Sequence, residues 1–279
     1  MIFWRTYNNQ LYPIQEVDKL GFNFNDPSFI PDEYLVKKEF ILLRTCFGLG
    51  DWGIISAFPR KLKEKYPDCK IYIPSPKLLR SMFSKFEQNW SSWSDPFQVV
   101  HTIFDNNPYV DGFIDSFEGD VFNDHYRIYK EDEDYPLIGQ MLRFWQFDNF
   151  EDIDPELYWT EEENILAKNI IKEHCSGEFG TLLLSNRYEG EGKDKIQKIL
   201  NEYDLPMFYW VSNEFNIKFK KCLDLNHIDT RIQLLIKSLG KFSIGNQTGA
   251  NDIIPRYTKS FIVPREKLGS NFINKVTYI

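Results

Sequence analysis

Three glycines and an acidic residue form the first pattern in this sequence that could do chemistry. Gly48, Gly50 and Gly53 match G-x-G-x-x-G, and Asp51 lies within the match. An apolar run at residues 39–45 precedes the match and residues at helical spacing follow it, which is the context of a dinucleotide-binding loop. Glycines there let the backbone approach a phosphate. A carboxylate at a helix start can cap the helix or accept a proton.

The first loop lacks one part of the dinucleotide-binding pattern. That pattern needs an acidic residue at the end of the second strand, where it binds a ribose. Here the second strand, predicted at residues 70–73, runs into Pro74-Ser-Pro76, and Asp68 precedes the strand. A nicotinamide or flavin enzyme therefore stays an alternative, and so do glycines that only make a tight turn.

A second loop with small and polar residues occurs between a predicted strand and a predicted helix near the C-terminus. It runs from Ser243 to Asp252 and contains Gly245, Thr248 and Gly249. Its glycines allow a close approach of the backbone, its threonine offers a hydroxyl, and a helix start offers free N–H groups to an anion. The loop can bind phosphate, although such residues also occur in turns for conformational reasons alone.

Alternating strand and helix patterns in the first half would position the first loop. Apolar runs of strand length occur at residues 39–45, 70–73, 99–103 and 112–114. A helical pattern fills the interval between the first two, and we expect Pro59 to kink this helix or confine its regular part to one side. Such alternation predicts a parallel sheet with right-handed crossovers.

The second half repeats the alternation and would position the second loop. Thr160 and Glu163 form a capping box at the start of a helix, and Asp229 is expected to cap another. Strands are predicted at residues 181–184, 207–211 and 241–245, and a helix at 194–202. We therefore predict an α/β protein of two Rossmann-like domains, 1–160 and 161–279, facing across a cleft that binds ligands at the carboxyl ends of the strands.

Charge is distributed unevenly along the chain. Residues 116–163 carry 15 acidic against 3 basic side chains, and we interpret 116–160 as an acidic insert in the first domain. Residues 164–279 carry 17 basic against 12 acidic side chains, so the second domain can attract a nucleotide. No dense block of Lys and Arg occurs, so nucleic acid is a less favoured partner.

Composition also indicates the cellular compartment. No uninterrupted apolar run reaches the ~18 residues of a membrane span, and the first residues lack the pattern of a secretory signal. Four cysteines, Cys46, Cys69, Cys175 and Cys222, lie far apart without a C-x-x-C pair. We expect reduced thiols in a cytoplasmic protein, with neither a disulfide framework nor a thiolate zinc site. Peripheral contact with a membrane surface stays open.

Three stretches carry motifs of one known family. Residues 40–51 end in Gly-Leu-Gly-Asp, residues 107–111 read Asn-Pro-Tyr-Val-Asp, and residues 228–252 end in Gly-Asn-Gln-Thr-Gly-Ala-Asn-Asp. These stretches resemble the heptosyltransferase-like glycosyltransferases, which form glycosyltransferase family nine and have the GT-B fold. The resemblance covers most of residues 39–115 and 181–256. It implies an inverting, metal-independent enzyme that transfers a sugar from a nucleotide-diphosphate donor.

The resemblance also implies a donor-binding loop. The family's loop reads Gly-Asn-Asp-Thr-Gly-x-x-His, and this sequence has Gln247 in place of the Asp and Asp252 in place of the His. By resemblance, Thr248 and Gly249 contact the diphosphate, with Gln247 and Asp252 beside them. The two departures affect which donor is expected, so the sugar and the base of the donor stay open.

Further residues of the donor site come from the same resemblance. It implies that Ser185, Asn186 and a lysine help to hold the diphosphate. Lys193 is the best match for that lysine, and Lys195 is an equally reasonable alternative. Gly50 would open room for the substrate in the first loop. No cofactor beyond the donor substrate is expected.

The resemblance makes Asp51 the general base. The alternative is an ordinary helix cap, and the two roles can coexist. His101 and His125 are reserve bases without a motif behind them. Without a metal ion, helix N-termini and cationic side chains would stabilise the departing diphosphate.

The acceptor is the least constrained part of the prediction. We prefer a glycan or lipopolysaccharide-type acceptor to a modified DNA base, as used by phage-type enzymes of the same architecture, because the first domain is acidic. Trp90, Trp93 and Trp145 could stack on an acceptor sugar or pack in a core. The sequence is also compatible with an NAD-dependent oxidoreductase and with a non-catalytic GT-B-like binding module.

Overall fold

The computed structural model divides the chain into two compact units, Met1–Ile153 and Asp154–Ile279. This division falls slightly before the predicted domain boundary at residue 160. The structure describes residues 4–7, 10–13, 39–44, 48–82, 95–116, 153–185, 188, 190, 192–211, 216–264 and 276–279. Both units combine helices with parallel strands, as predicted.

The first unit contains a parallel sheet and a separate antiparallel hairpin. The hairpin strands are β1 (Trp4–Tyr7) and β2 (Gln10–Pro13). The parallel strands, in spatial order, are β3 (Glu39–Ile41), β4 (Lys70–Pro74) and β5 (Gly112–Ile114). The helices are α1 (Leu49–Gly53), α2 (Phe58–Lys65), α3 (Pro76–Met82) and α4 (Val99–Phe104). The predicted strand–loop–helix–strand unit is confirmed.

Pro59 divides the helical stretch that follows β3. It lies in the first turn of α2, where a missing N–H costs no intrahelical hydrogen bond. The residues before it form the short helix α1 and a turn. The prediction that Pro59 confines the regular helix to one side is therefore confirmed.

The prediction of a strand at residues 99–103 is wrong, because these residues form α4. Asp95 caps a preceding 3-10 turn, Pro96–Gln98, and its carboxylate accepts a hydrogen bond from Phe97 N–H at 3.2 Å. That turn leads directly into the helix. The buried residues that follow, Val99, Val100, Ile103 and Phe104, recur at helical spacing, and tertiary packing there outweighs the strand preference of valine and isoleucine.

Asp111 links a helix and two strands of the first unit. Its carboxylate accepts hydrogen bonds from Lys63 Nζ at 2.8 Å, Lys70 Nζ at 2.9 Å and Ile71 N–H at 2.8 Å. Burial acts to raise the pKa of Asp111, but these donors outweigh it and lower the pKa to about 2. The Asn-Pro-Tyr-Val-Asp turn thus ends in a carboxylate that links α2, β4 and the start of β5.

The second unit is built on one parallel sheet. Within the described part of the chain its strands, in spatial order, are β11 (Thr277–Tyr278), β10 (Lys259–Val263), β9 (Phe242–Asn246), β6 (Gly180–Leu184), β7 (Pro206–Val211) and β8 (Lys220–Asp224). All adjacent pairs are parallel. If β6 to β11 are counted as strands 1 to 6, their spatial order read from β8 is 3-2-1-4-5-6, which is the order of a Rossmann sheet. The direction in which successive strands are added reverses between β6 and β9.

Helices cover both faces of this sheet. The helices are α5 (Glu161–His174), α6 (Lys193–Tyr203), α7 (Thr230–Leu239) and the short α8 (Gly249–Asp252). Apolar residues of α6 share one core with Leu182 and Ile244, whereas α5 and α7 share another with Phe208. The adjacent residues Met207 and Phe208 of β7 thus lie in two different cores, one on each face of the sheet.

The predicted helix caps of the second unit are confirmed. Thr160 Oγ1 accepts a hydrogen bond from Glu163 N–H at 3.1 Å, and Glu163 Oε2 accepts one from Thr160 N–H at 2.7 Å. Asp229 accepts a hydrogen bond from Arg231 N–H at 2.8 Å. The Arg231 guanidinium also pairs with Glu163 at 2.5 Å and so joins the starts of α5 and α7.

β6 and β9 approach each other closely at Gly245. A Cβ atom at Gly245 would lie 1.9 Å from the carbonyl oxygen of Leu183 in β6 and 2.6 Å from Asn251 Nδ2. Backbone cannot move out of the way as a flexible side chain can. Glycine is therefore required here for packing.

We expect Gly245→Ala to lower the free energy of unfolding by roughly 3 kcal/mol or more, because the new methyl group overlaps the β6 backbone. Chemical denaturation measures the loss. Gly177→Ala is the matched control, since a Cβ at Gly177 meets no atom within 4 Å, and we expect it to be nearly neutral. Equal stabilities of the two variants would contradict the proposed constraint.

Candidate functional site

Two side chains meet where the strand order of the second unit reverses. Asn246, the last residue of β9, accepts a hydrogen bond from Ser185 N–H at 2.9 Å through its Oδ1 atom. Its Nδ2 group donates to Ser185 Oγ at 2.9 Å. Ser185 directly follows β6, so these bonds join the carboxyl ends of the two strands. Parallel α/β sheets bind ligands in the crevice outside this reversal point.

The loop after β9 is held to the same edge by hydrogen bonds. Asn251 Nδ2 donates to the carbonyl oxygen of Asn246 at 2.6 Å, and Gln247 N–H donates to that of Val263 at 2.9 Å. The Thr248 carbonyl accepts hydrogen bonds from the N–H groups of Asn251 and Asp252, each at 2.9 Å. These contacts fold residues 247–252 back over the end of the sheet.

Burial divides the loop residues into two groups. Gln247 and Asp252 are buried, whereas Thr248 and Gly249 are partly exposed. The two residues expected to contact a diphosphate are therefore the more accessible ones. Their contact with a ligand stays a prediction.

The start of α6 lies against the same edge. Gly192 precedes α6 with a φ of 62°, in the left-handed region that favours glycine. A Cβ atom there would lie 2.8 Å from Val263 Cγ2, and the Val263 carbonyl accepts the Gln247 N–H. Lys193 follows as the first residue of α6, whereas Lys195 is exposed one position beyond Asp194. Asn186 lies outside the described residues.

Lys237 of α7 is fully buried against the first half of β9. Its Nζ atom donates a hydrogen bond to Ser243 Oγ of β9 and lies 5.4 Å from the centre of the Trp210 ring. Burial lowers the pKa of Lys237 to about 7, although the negative charge of Asp252 acts in the opposite direction. A cation therefore lies within the electrostatic reach of the loop's acidic residue.

Asp51 is the third residue of α1 in the first unit, and its carboxylate reaches back to the N-cap residue Gly48. Gly48 N–H donates to Asp51 Oδ2 at 3.2 Å, and a Cβ atom at Gly48 would lie only 2.4 Å from that oxygen. Arg44 is buried, and its Nη2 atom lies 3.9 Å from Asp51 Oδ1. Gly50 is buried within α1. The capping role of Asp51 is thus observed, and its role as a base stays a prediction.

Of the two reserve bases, His101 lies in the described part of the chain. His101 Nδ1 lies 2.8 Å from Asp105 Oδ1, and its ring packs on Phe113 with centres 4.3 Å apart. His125 and three tryptophans that could bind an acceptor fall outside the described residues: Trp90, Trp93 and Trp145.

The described residues include three free thiols and no cluster of metal ligands. Across the described ranges, no group of three His, Cys, Asp or Glu side chains could hold a metal ion. Cys69, Cys175 and Cys222 are free thiols. Burial raises the pKa of Cys222 to about 11, and the neighbouring Cys175 adds to that effect. No helix in the described part of the chain combines the length and apolarity needed to cross a membrane.

The structure brings most of the predicted donor residues to one sheet edge. Ser185 and the loop residues Gln247, Thr248, Gly249 and Asp252 lie there, and α6 starts beside them with Lys193. The sequence analysis missed Asn246, Asn251 and Lys237. Asn246 could have been found from its position directly before Gln247 at the end of a strand. Lys237 gave no such signal, because a single lysine on an apolar helix is usually exposed.

Comparisons with known proteins support the fold. A glycosyltransferase family 9 structure from Veillonella parvula DSM 2008 is similar with a TM-score of 0.53 and 8% identity, over 88% of this chain and 86% of that chain. The E. coli ADP-heptose lipopolysaccharide heptosyltransferase II has a TM-score of 0.44 and 11% identity, over 86% of this chain and 90% of that chain. The second likeness is too weak to carry an argument. No protein-family model and no curated protein matches the chain.

At this identity, the first likeness shows the fold alone. The resemblance inferred from the motifs is confirmed at that level, because the chain shares its fold with a glycosyltransferase.

We expect the buried Lys237 to reduce stability below about pH 10. In the folded state its pKa is near 7 and in the unfolded chain about 10.4. Between these values the unfolded chain binds more protons, so this group makes the free energy of unfolding rise with pH. Lys237→Met removes the effect, and its stability relative to wild type should be highest at pH 6–7 and decline towards pH 10.

Urea denaturation from pH 6 to pH 10 measures this difference. Lys241→Met is the matched control, because Lys241 is exposed and pairs with Glu178, which raises its pKa. Its difference from wild type should stay constant over most of this range. A constant difference for Lys237→Met as well would contradict the assigned pKa.

Proposed function

We propose that this protein is a glycosyltransferase whose donor is a nucleotide-diphosphate sugar. The observation that carries the proposal is the hydrogen-bonded pair of Ser185 and Asn246 at the reversal of a Rossmann sheet. The glycine-containing loop beside it, in a chain that shares its fold with a glycosyltransferase, gives the pair its context.

The donor diphosphate is proposed to bind at residues 247–252. Thr248 offers a hydroxyl group, and Gly249 has no side chain to keep phosphate oxygens from the backbone. Lys193, at the start of α6, is the cation best placed to add positive charge at this edge. The excess of basic residues in 164–279 favours an anionic ligand in this unit.

The proposed reaction is an inverting transfer. The acceptor hydroxyl attacks the anomeric carbon as the bond to the nucleoside diphosphate breaks, and Asp51 takes the hydroxyl proton. Positive charge at the donor loop stabilises the departing diphosphate, so no metal ion is required. Two Asp-x-Asp sequences, Asp132-Glu-Asp134 and Asp152-Ile-Asp154, occur in the acidic segment rather than in the donor loop. Undiminished activity in the presence of a chelator would agree with this mechanism.

The proposed acceptor is a glycan or a lipopolysaccharide-type sugar. Residues 116–163 are strongly acidic, which disfavours a polyanionic acceptor such as DNA. A glycolipid acceptor would bring the protein into peripheral contact with a membrane. Salt-sensitive retention on duplex DNA would instead support the alternative of a DNA-base glycosyltransferase.

We expect UDP, ADP or GDP to raise the melting temperature of the protein. A ligand at 100 times its Kd adds about 2.7 kcal/mol to the free energy of unfolding if it binds only the folded state. A thermal-shift screen of the three nucleotides, with NAD and the corresponding nucleosides as controls, measures this. Stabilisation by NAD without any response to a nucleoside diphosphate would support an oxidoreductase. No response at all would support a binding module without transferase activity.

We expect Asp51→Asn to reduce turnover by roughly 10²- to 10⁴-fold, the range of general-base catalysis. Asparagine keeps the shape of aspartate, and its amide oxygen can still accept the hydrogen bond from Gly48 N–H, so stability should stay near that of wild type. Donor affinity should also be unchanged, because the donor is proposed to bind in the other unit. Release of nucleoside diphosphate in the presence of a glycan or glycolipid acceptor measures turnover.

Asp68→Asn serves as the matched control in the first unit. Asp68 is exposed in the turn before β4, and its substitution should leave turnover unchanged. Full activity of Asp51→Asn with unaltered donor affinity would leave Asp51 as a helix cap only. His101 would then be the next candidate base among the described residues.

A further inference from the structure

A β-bulge interrupts β8, the last described strand on one side of the second sheet. The register of β8 against β7 skips from Lys221 to Leu223, so that Cys222 lies opposite no residue of β7. An extra residue of this kind bends the strand and changes the direction in which its side chains point.

The bulge places Cys222 on the face of the sheet that α5 covers. In a regular strand, neighbouring side chains point to opposite faces. Cys222 and Leu223 instead pack against the same core, which contains Phe208 of β7 and Ala167 of α5. Cys175, which directly follows the last residue of α5, packs against this core as well. The two cysteines therefore lie on one side of the sheet.

A hydrogen bond joins the Cys222 thiol to the end of α5. Cys222 Sγ donates to the carbonyl oxygen of His174 at 2.9 Å. This carbonyl belongs to the peptide bond between His174 and Cys175, and covalent geometry places its oxygen about 2.8 Å from Cys175 Cα. Cys222 Sγ thus lies within about 6 Å of that Cα atom, within reach of the Cys175 sulfur.

The two thiols interact with each other and are accessible to small molecules. Burial raises the pKa of Cys222, and the neighbouring Cys175 raises it further, to about 11. Cys175 Sγ donates to the carbonyl oxygen of Gly177 at 3.4 Å. Both thiols are partly exposed, whereas Cys69 is buried. A small oxidant can therefore reach Cys175 and Cys222 more easily than Cys69.

We propose that Cys175 and Cys222 form a reversible disulfide when a low-molecular-weight disulfide acts as the oxidant, and that this bond fastens β8 to the end of α5. The inference goes beyond the proposed function and does not depend on it. An exposed sheet edge can pair with other chains, so a bond that holds β8 in place under oxidising conditions protects this edge.

The reaction is a thiol–disulfide exchange in two steps. The Cys175 thiolate attacks a sulfur of glutathione disulfide, which forms a mixed disulfide and releases one glutathione. Cys222 then attacks the Cys175 sulfur and releases the second glutathione. The two cysteines are oxidised, and glutathione disulfide is reduced to two glutathione molecules, which take up the two thiol protons. Cys175 reacts first, because the raised pKa of Cys222 keeps its thiol protonated at neutral pH.

Oxidation of the full chain with glutathione disulfide tests the proposal. Iodoacetamide then blocks the remaining thiols, and mass spectrometry of a non-reduced digest identifies the linked peptides. We expect one intramolecular link, between Cys175 and Cys222, which an excess of reduced glutathione removes. In the chain-entropy model, closing the segment between these residues should raise the melting temperature by roughly 5–15 °C.

Serine variants are the matched controls. Cys222→Ser keeps a hydroxyl group that can donate to the His174 carbonyl, so it should fold as wild type does. It should form no link, keep Cys175 as a mixed disulfide with glutathione, and show no rise in melting temperature on oxidation. Cys69→Ser leaves both partners in place and should respond to oxidation as wild type does.

The linked peptides of wild type decide the outcome. If Cys175 and Cys222 are recovered as alkylated thiols or as mixed disulfides with glutathione, the inference is overturned, and Cys222 is only a hydrogen-bond donor to the end of α5. A link from either residue to another cysteine would also overturn it, as would a link between them that leaves the melting temperature unchanged.

Discussion

The close approach of β6 and β9 at Gly245 is the constraint on which the candidate donor site depends. Because Gly245 has no side chain, the backbone of β9 can lie against Leu183, and Asn251 can lie next to the same point. This packing aligns the ends of the two strands, so that Asn246 reaches Ser185 with both groups of its amide. A bulkier residue at position 245 would separate the ends that form the edge of the site.

The elements nearest the site were predictable because local chemistry and burial agree there. Thr160 and Asp229 mark helix starts through hydrogen bonds made within a few residues, and such bonds can be inferred from sequence spacing. The run Thr181–Leu184 is buried on both faces, which is typical of a central parallel strand. The loop after β9 was identified from its glycines and from a family resemblance.

Features that depend on long-range packing were not predictable. Val99–Phe104 has strand-forming residues, and only its packing and the turn before it make it helical. β8 is a partly exposed edge strand that begins with two lysines, so it lacks an apolar run. The burial of Lys237 on α7 depends on Trp210 of β7 and Ser243 of β9, which carry no local signal in the sequence around the lysine. The contact of Asn246 with Ser185 likewise joins residues far apart in the chain.

The strand order also determines when the sheet edge that carries Ser185, Asn246 and residues 247–252 can form during synthesis. β6, β7 and β8 are neighbours both in the chain and in the sheet, so they can pair as soon as they leave the ribosome. β9 must instead return to the free side of β6, and this non-local pairing closes a long loop and is intrinsically slow. Until then β6 presents an unpaired, apolar edge, which is the kind of surface that pairs with other chains. The contacts that create the site can thus form only after β6, β7 and β8 are available to pair, and a nascent chain that ends before β9 is exposed to aggregation at that edge.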